Sequence, residues 1–212
     1  MTTLFPQTIT CAACGRENQV MVIGSTNTMG PPDLDTRPAE MARSTMGHWL
    51  QECAHCGFLS RDLRRPHQGA LEILASDAYK SQRHDPSTPE AANRFLCAAM
   101  LLEKTWATAG AFWNVMAAAW CGDDAGDAAA AGRCRLRAID LALSSAEPIS
   151  KQAGASELIL ADLYRRTGQF ETCDELARRP VDAADPFIVK LLALERALAA
   201  KKDAACHSGA EL

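Results

Sequence analysis

Two matched cysteine pairs are the residues of this chain best equipped for chemistry: Cys11-Ala-Ala-Cys14-Gly15 and Cys53-Ala-His-Cys56-Gly57. A two-residue gap lets the backbone curl into a knuckle that turns both thiolates of a pair toward one ion. The glycine that follows permits the left-handed or close-approach backbone such a turn needs. Two pairs supply four sulfurs, the closed tetrahedral set of a structural zinc site. The spacing therefore predicts a single structural Zn2+ on Cys11, Cys14, Cys53 and Cys56, with iron as the competing ion. Two other readings stand beside it. The pairs could be redox dithiols, although the βαβ setting of that motif is not visible. His48 or His55 could replace a sulfur, although four well-spaced cysteines leave the histidines beside the ligands or at the surface. A four-sulfur shell has no open coordination position, which argues against zinc-dependent hydrolysis.

The remaining cysteines read differently. Cys97, Cys121, Cys134 and Cys173 lie singly on apolar or Ala-rich stretches and read as small buried hydrophobes, while Cys206 sits beside His207 near the C-terminus. Between the knuckles, residues 24–38 form a loop rich in turn formers that carries Asp33, Asp35 and Arg37. As a functional segment it is a recognition loop, or an acid–base site making the chain an enzyme. As a structural one, Arg37 pairs with Asp33 or Asp35 and the loop packs on the helices. Just past the second knuckle, Arg61, Arg64 and Arg65 form a basic cluster that could contact nucleic acid or simply bridge to the acidic helical half. No Ser/His/Asp constellation and no phosphate-cradling glycine loop is evident.

These groups need elements to hold them, and the composition changes near Pro66. Residues 1–66 are rich in Gly, Pro and Thr and contain no lysine, and Thr8–Thr10, Gln19–Ile23 and Trp49–Glu52 have strand-like content. From His67 onward Ala dominates. Helices are predicted near 68–83, 88–106, 109–121, 127–146, 151–167, 170–179 and 186–201. Ser87 with Glu90 reads as a capping box, Asp185-Pro186 as a cap with proline in the first turn, and Gly168 as a helix stop. Residues 203–212 are small and polar and read as a disordered tail. The fold expected is mainly α: a small β zinc ribbon over 1–66, then an all-α domain over 67–202.

That helical domain carries a repeat-like pattern. Trp113-x-x-Met116-Ala117-x-x-Trp120 has the spacing of the first helix of a tetratricopeptide unit, and Leu160-Ala161-x-x-Tyr164 followed by Gly168, Phe170 and Cys173 has it again. Phe95-x-x-Ala98-Ala99-x-x-Leu102 is a fainter echo. The 44 residues from Trp120 to Tyr164 exceed the regular period, which places an insertion at 122–131. Trp106, Trp113 and Trp120, seven apart, read as core.

Composition narrows the function classes. The chain has 212 residues, a net charge of −4 and a pI near 5.7, which removes the broad electrostatic case for non-specific nucleic-acid binding. No apolar run approaches a membrane span, and the N-terminal MTTLFPQTIT lacks the basic and apolar regions of a secretory signal. Nine cysteines, an odd number, without an export signal point to reduced thiols and a cytoplasmic protein.

Taken together, C-A-A-C-G, P-D-L-D-T-R-P, C-A-H-C-G-F and the Tyr-Arg-Arg-x-Gly-x-Phe helix end resemble an uncharacterised bacterial family, domain of unknown function 2225, in which paired C-P-x-C-G knuckles precede tetratricopeptide-like helices. The resemblance spans most of residues 8–200 and implies the same four cysteines as ligands; Ala12 and Ala54 stand where proline is usual, which should loosen the knuckles slightly. It implies no catalytic residue. The function expected is a non-enzymatic zinc-binding adaptor for an unidentified protein partner, with a nucleic-acid-associated factor using Arg61, Arg64 and Arg65 as the alternative and no role at a membrane.

Overall fold

The computed structural model describes residues 2–104, 108–181 and 185–211. Strands β1 (Thr3–Thr10) and β2 (Glu17–Ser25) form an antiparallel hairpin, and the short strands β3 (Gln51–Glu52) and β4 (Leu59–Ser60) form a second. Both hairpins are closed by a cysteine knuckle, so each cysteine turn is fixed by a ladder on either side. β1 and β2 run longer than the sequence suggested. Ile9 and Val20 are buried near the knuckle, whereas Leu4, Phe5 and Met21 stay exposed toward the open end. Pro6 is tolerated because β1 has only one neighbour in its sheet.

After a short helix α1 (Glu40–Arg43), the chain from residue 70 onward is helical: α2 (Ala70–Ala75), α3 (Asp77–Arg83), α4 (Glu90–Glu103), α5 (Thr108–Asp124), α6 (Ala128–Ser144), α7 (Ala155–Arg166), α8 (Phe170–Ala177) and α9 (Pro186–Ala200). The mainly α expectation holds. The helix expected over 68–83 is broken at Ser76, whose backbone is extended and whose Oγ accepts from the Tyr79 amide at 3.2 Å to start α3. The capping box does not form. Asp85 takes the Ser87 and Thr88 hydroxyls instead, and α4 begins after Pro89 with no side-chain cap. The other two signals behave as expected. Asp185 caps the Phe187 amide at 2.8 Å. Gly168, at φ +77°, closes a Schellman turn in which its own amide reaches the Arg165 carbonyl and that of Gln169 reaches Tyr164.

Residues 122–131 are not an insertion. Gly122 lies inside α5, three residues connect α5 to α6, and a Cβ on Gly122 would stand 2.9 Å from the Ala131 backbone nitrogen. This is the closest approach of two helices joined by a tight turn. Ala117 and Ala161 are fully buried. Trp120 is buried and Trp113 half-buried; Trp106 lies outside the described residues.

Packing does not divide the chain at residue 66. One apolar cluster joins Ile9, Val20, Phe58, Leu59 and Leu63 to Phe95, Phe112, Val115 and Met116, and so runs from the knuckles into α4 and α5. A second gathers Leu158, Ala161, Cys173, Ile188, Leu191 and Leu198 of α7–α9, together with Leu34 from the inter-knuckle loop. The segment expected to be a disordered tail is docked. Arg165 donates to the carbonyls of Asp203 and Ala205, the Leu34 amide to that of His207, and the Gly209 amide to that of Pro32. Backbone bonding to a loop and to a buried guanidinium holds it where composition alone predicts fraying.

Candidate metal centre

The Sγ atoms of Cys11, Cys14, Cys53 and Cys56 all lie within 4.8 Å of one another. The cross-knuckle separations are 3.9 Å for Cys11–Cys56 and 3.6 Å for Cys14–Cys53. A tetrahedron of sulfurs about 2.3 Å from a central ion has edges of about 3.8 Å, so the donor set fits a four-coordinate thiolate site. All four thiols are free rather than paired as disulfides.

The two knuckles are built alike. Gly15 and Gly57 adopt φ +73° and +72°, and their amides donate to the carbonyls of Cys11 and Cys53 at 2.8 and 2.9 Å. These are left-handed positions, where a side chain would be strained. The amides of Cys11 and Cys53 bond the carbonyls of Arg16 and Phe58, each at 2.9 Å. Burial pushes the Cys53 thiol up, but hydrogen bonds from the backbone at Cys56 and His55 and from neighbouring thiols outweigh it and bring the group to about 6. Burial raises Cys11, against opposition from the backbone at Cys14 and Ala13. Burial also raises Cys56, with the neighbouring Cys53 and Cys14 thiols adding to it against the Phe58 backbone, so the amides work toward thiolates, the form that binds a metal, while burial and crowding of the four groups work against them.

Several supports were not legible in the sequence. The Asn18 side chain bridges the knuckles, donating to the Arg16 carbonyl at 3.0 Å and accepting from the Ala54 amide at 2.9 Å. The Ala12 amide donates to Leu63 at 2.8 Å. The buried Tyr79 hydroxyl of α3 donates to the Gly57 carbonyl at 2.9 Å. Glu52, adjacent to Cys53, is held by Arg83 at 2.9 Å and Arg94 at 3.4 Å. A buried asparagine beside the first knuckle is the one signal that sequence reading could have used. His55 points away from ligand duty, with Nε2 3.1 Å from the Glu17 carbonyl and Nδ1 3.5 Å from Arg16. His48 is exposed.

The inter-knuckle loop is tied to the helices. Arg37 pairs with Asp33 at 2.6 Å and Asp124 at 3.0 Å, and its amide donates to Asp35 Oδ1 at 3.1 Å. Asp35 is 1% exposed and accepts from Trp120 Nε1 at 3.0 Å and from Arg135 at 3.3 Å. Asp33, Asp35 and Arg37 are thus brought together, each engaged in ion pairing. The basic cluster separates instead. Arg64 is committed to Asp62 at 2.8 Å, Arg61 lies over the Trp49 ring at 5.7 Å, and Arg65 is exposed. Burial pushes the thiols of Cys97, Cys121 and Cys173 up to about 12 and that of Cys134 up to about 11, which keeps them protonated at neutral pH.

Compared with family models, curated proteins and solved structures, the chain matches none. The function therefore rests on the site itself. Four converging thiolates leave no position for a substrate, so the arrangement suits holding an ion that fastens two hairpins together. None of the described helices is long and apolar enough to cross a membrane.

Proposed function

We propose that this chain is a cytoplasmic, non-enzymatic adaptor in which one structural zinc fastens a ribbon-like module to a tetratricopeptide-like helical array that contacts another protein. The observation that carries the reading is the closed set of four sulfurs, 3.6 and 3.9 Å apart across the knuckles. Cys11 and Cys14 from one hairpin and Cys53 and Cys56 from the other would hold the ion, which supplies cross-linking rather than catalysis. Zinc is favoured over iron because it fills a tetrahedral thiolate site without redox chemistry. The paired knuckles before helical hairpins support membership of the uncharacterised bacterial family that the sequence resembles.

The contact surface proposed is the 24–38 loop, where Met29 is 80% exposed, or the groove of the helical array. Native mass spectrometry with elemental analysis should find one zinc per chain, lost in the Cys11→Ser/Cys53→Ser variant. A photo-crosslinker at position 29, or on the helical groove, should trap one recurring protein in cells. Absence of metal overturns the zinc centre. Full zinc with no specific adduct from either surface overturns the adaptor role.

A further inference from the structure

A second site emerges beside the β3–β4 hairpin, where the ribbon-like module meets α4 and α5. A cavity of about 550 Å3 opens there, lined on its polar side by Arg61, Arg65 and His67. Leu50, Ala98 and Trp113 are among its apolar lining. A space of this size suits a small organic molecule. Its charge is unbalanced. Among the described residues neither Arg61 nor Arg65 forms an ion pair, and the carboxylate that also lines the cavity, Asp62, is occupied by Arg64 through both oxygens at 2.8 and 3.0 Å. The guanidinium of Arg61 lies over the ring of Trp49, which borders a neighbouring cleft rather than this cavity. Asn114, also on the lining, is 3% exposed, and its Nδ2 donates to the Gly110 carbonyl at 2.9 Å.

The larger cavity of about 660 Å3 near α2 and α4 offers no such imbalance, since its Arg137 is paired with Glu103 at 2.6 Å.

We infer that the cavity beside the β3–β4 hairpin binds a small organic anion, a carboxylate or phosphate on an apolar body of about two fused rings, with Arg61 and Arg65 taking the anion and the Trp113 side taking the rings. The two unpaired guanidiniums provide charge-assisted bonds of the kind that select carboxylates and phosphates. Leu50, Ala98 and Trp113 provide the dry contact that such a body needs. This site is independent of the adaptor reading and uses none of the cysteine ligands.

The test is titration of the full-length, metal-replete chain with naphthalene-2-acetate, its neutral amide and 2-naphthyl phosphate, followed by calorimetry and by NMR of the Trp113 indole and Asn114 amide signals. Expected is one site per chain, with the amide at least about tenfold weaker than the acid and the Trp113 and Asn114 signals shifting on binding. The Arg61→Ala/Arg65→Ala variant should lose about tenfold or more in affinity for the acid while keeping its metal content and melting temperature, and Arg178→Ala, an exposed arginine absent from the lining, should bind as the parent does. Preference between acid and phosphate distinguishes the two head groups. The inference is overturned if acid and amide bind alike, if the double variant binds unchanged, or if no signal moves at millimolar ligand. It is also overturned if an oligothymidylate binds through the same arginines while the small acids neither bind nor compete, since that outcome assigns the arginines to a nucleic-acid surface.

Discussion

At the residue scale, Ala12 and Ala54 acquire a reason that their position in a C-x-x-C turn does not suggest. Proline at these places would remove the two amides that donate to Leu63 and to Asn18, the bonds that seat each knuckle on its surroundings. The expectation that alanine loosens the turn is therefore corrected. Ala12→Pro is expected to lower stability by about 1 kcal/mol or more in urea denaturation of the metal-replete protein, rather than raise it. A second residue-scale feature is the buried trio of Arg165, Asp162 and Glu195. Arg165 donates to both carboxylates at 2.6 Å, and all three side chains are at most 1% exposed. One positive charge faces two acids, and Asp162 Oδ2 and Glu195 Oε1 each lack a partner. Burial, then the charge of Asp162, pushes Glu195 up to about 8, and burial raises Asp162 as well. A raised carboxyl stabilises the fold fully below its unfolded value of about 4.5, and that contribution disappears as pH climbs through about 8. Stability measured from pH 5.5 to 8.5 should therefore fall more steeply in the parent chain than in Glu195→Gln, by a few kcal/mol, since each tenfold in proton affinity is worth about 1.4 kcal/mol.

At the element scale, the contact between α5 and α6 depends on a single missing side chain. Gly122 faces the Ala131 backbone, where an added Cβ would lie 2.9 Å from nitrogen and 3.0 Å from Cα. Backbone cannot rotate away as a flexible side chain can. Gly122→Ala is expected to force the helices apart and cost about 1–3 kcal/mol, read as a lowered thermal midpoint. The 44-residue spacing from Trp120 to Tyr164 points to extra residues at 122–131, but these complete α5 and start α6, and the longer connection lies at 145–154, between α6 and α7. Ser76 is the converse case: a polar residue within a helical pattern that ends α2 and caps α3, because its hydroxyl can satisfy an amide that no helix would.

At the scale of the whole molecule, the cysteine hairpins and the central helices share one interior. Cys11, Cys53 and Phe58 lie in the same cluster as Phe95 and Met116. With zinc held on the four thiolates as proposed, its removal by a strong chelator is therefore expected to lower the melting temperature of the helical signal in circular dichroism, not only of the cysteine hairpins. A structural zinc contributes on the order of 10–16 kcal/mol of apparent binding free energy, enough to be felt throughout a shared core. Retention of the helical midpoint after complete metal loss would show two independent units. Asp35 is the matching joint on the other side. It sets a loop residue against Arg135 of α6 and Trp120 of α5, and Arg135 is itself buried. Asp35→Ala would leave that guanidinium with Asp123 alone and open the loop, at an expected cost of about 3–5 kcal/mol by urea denaturation.

What the sequence determined by itself was local. The C-x-x-C-G spacing set both knuckles, because the turn and its hydrogen bonds close within six residues, and Asp185-Pro186 and Gly168 set a helix start and a helix stop for the same reason. Helical periodicity placed most of the elements downstream of residue 70 to within a few residues. Tertiary structure decided whatever depends on residues far apart in the chain. It brought the two sulfur pairs together across some forty positions and merged the two hairpins with α4 and α5 into one core. It also docked residues 203–211 against Arg165 and Pro32, and left Arg61 and Arg65 on the lining of a cavity whose carboxylate, Asp62, is taken by Arg64. Those outcomes follow from burial and charge balance among distant side chains, which spacing along one strand of sequence does not encode.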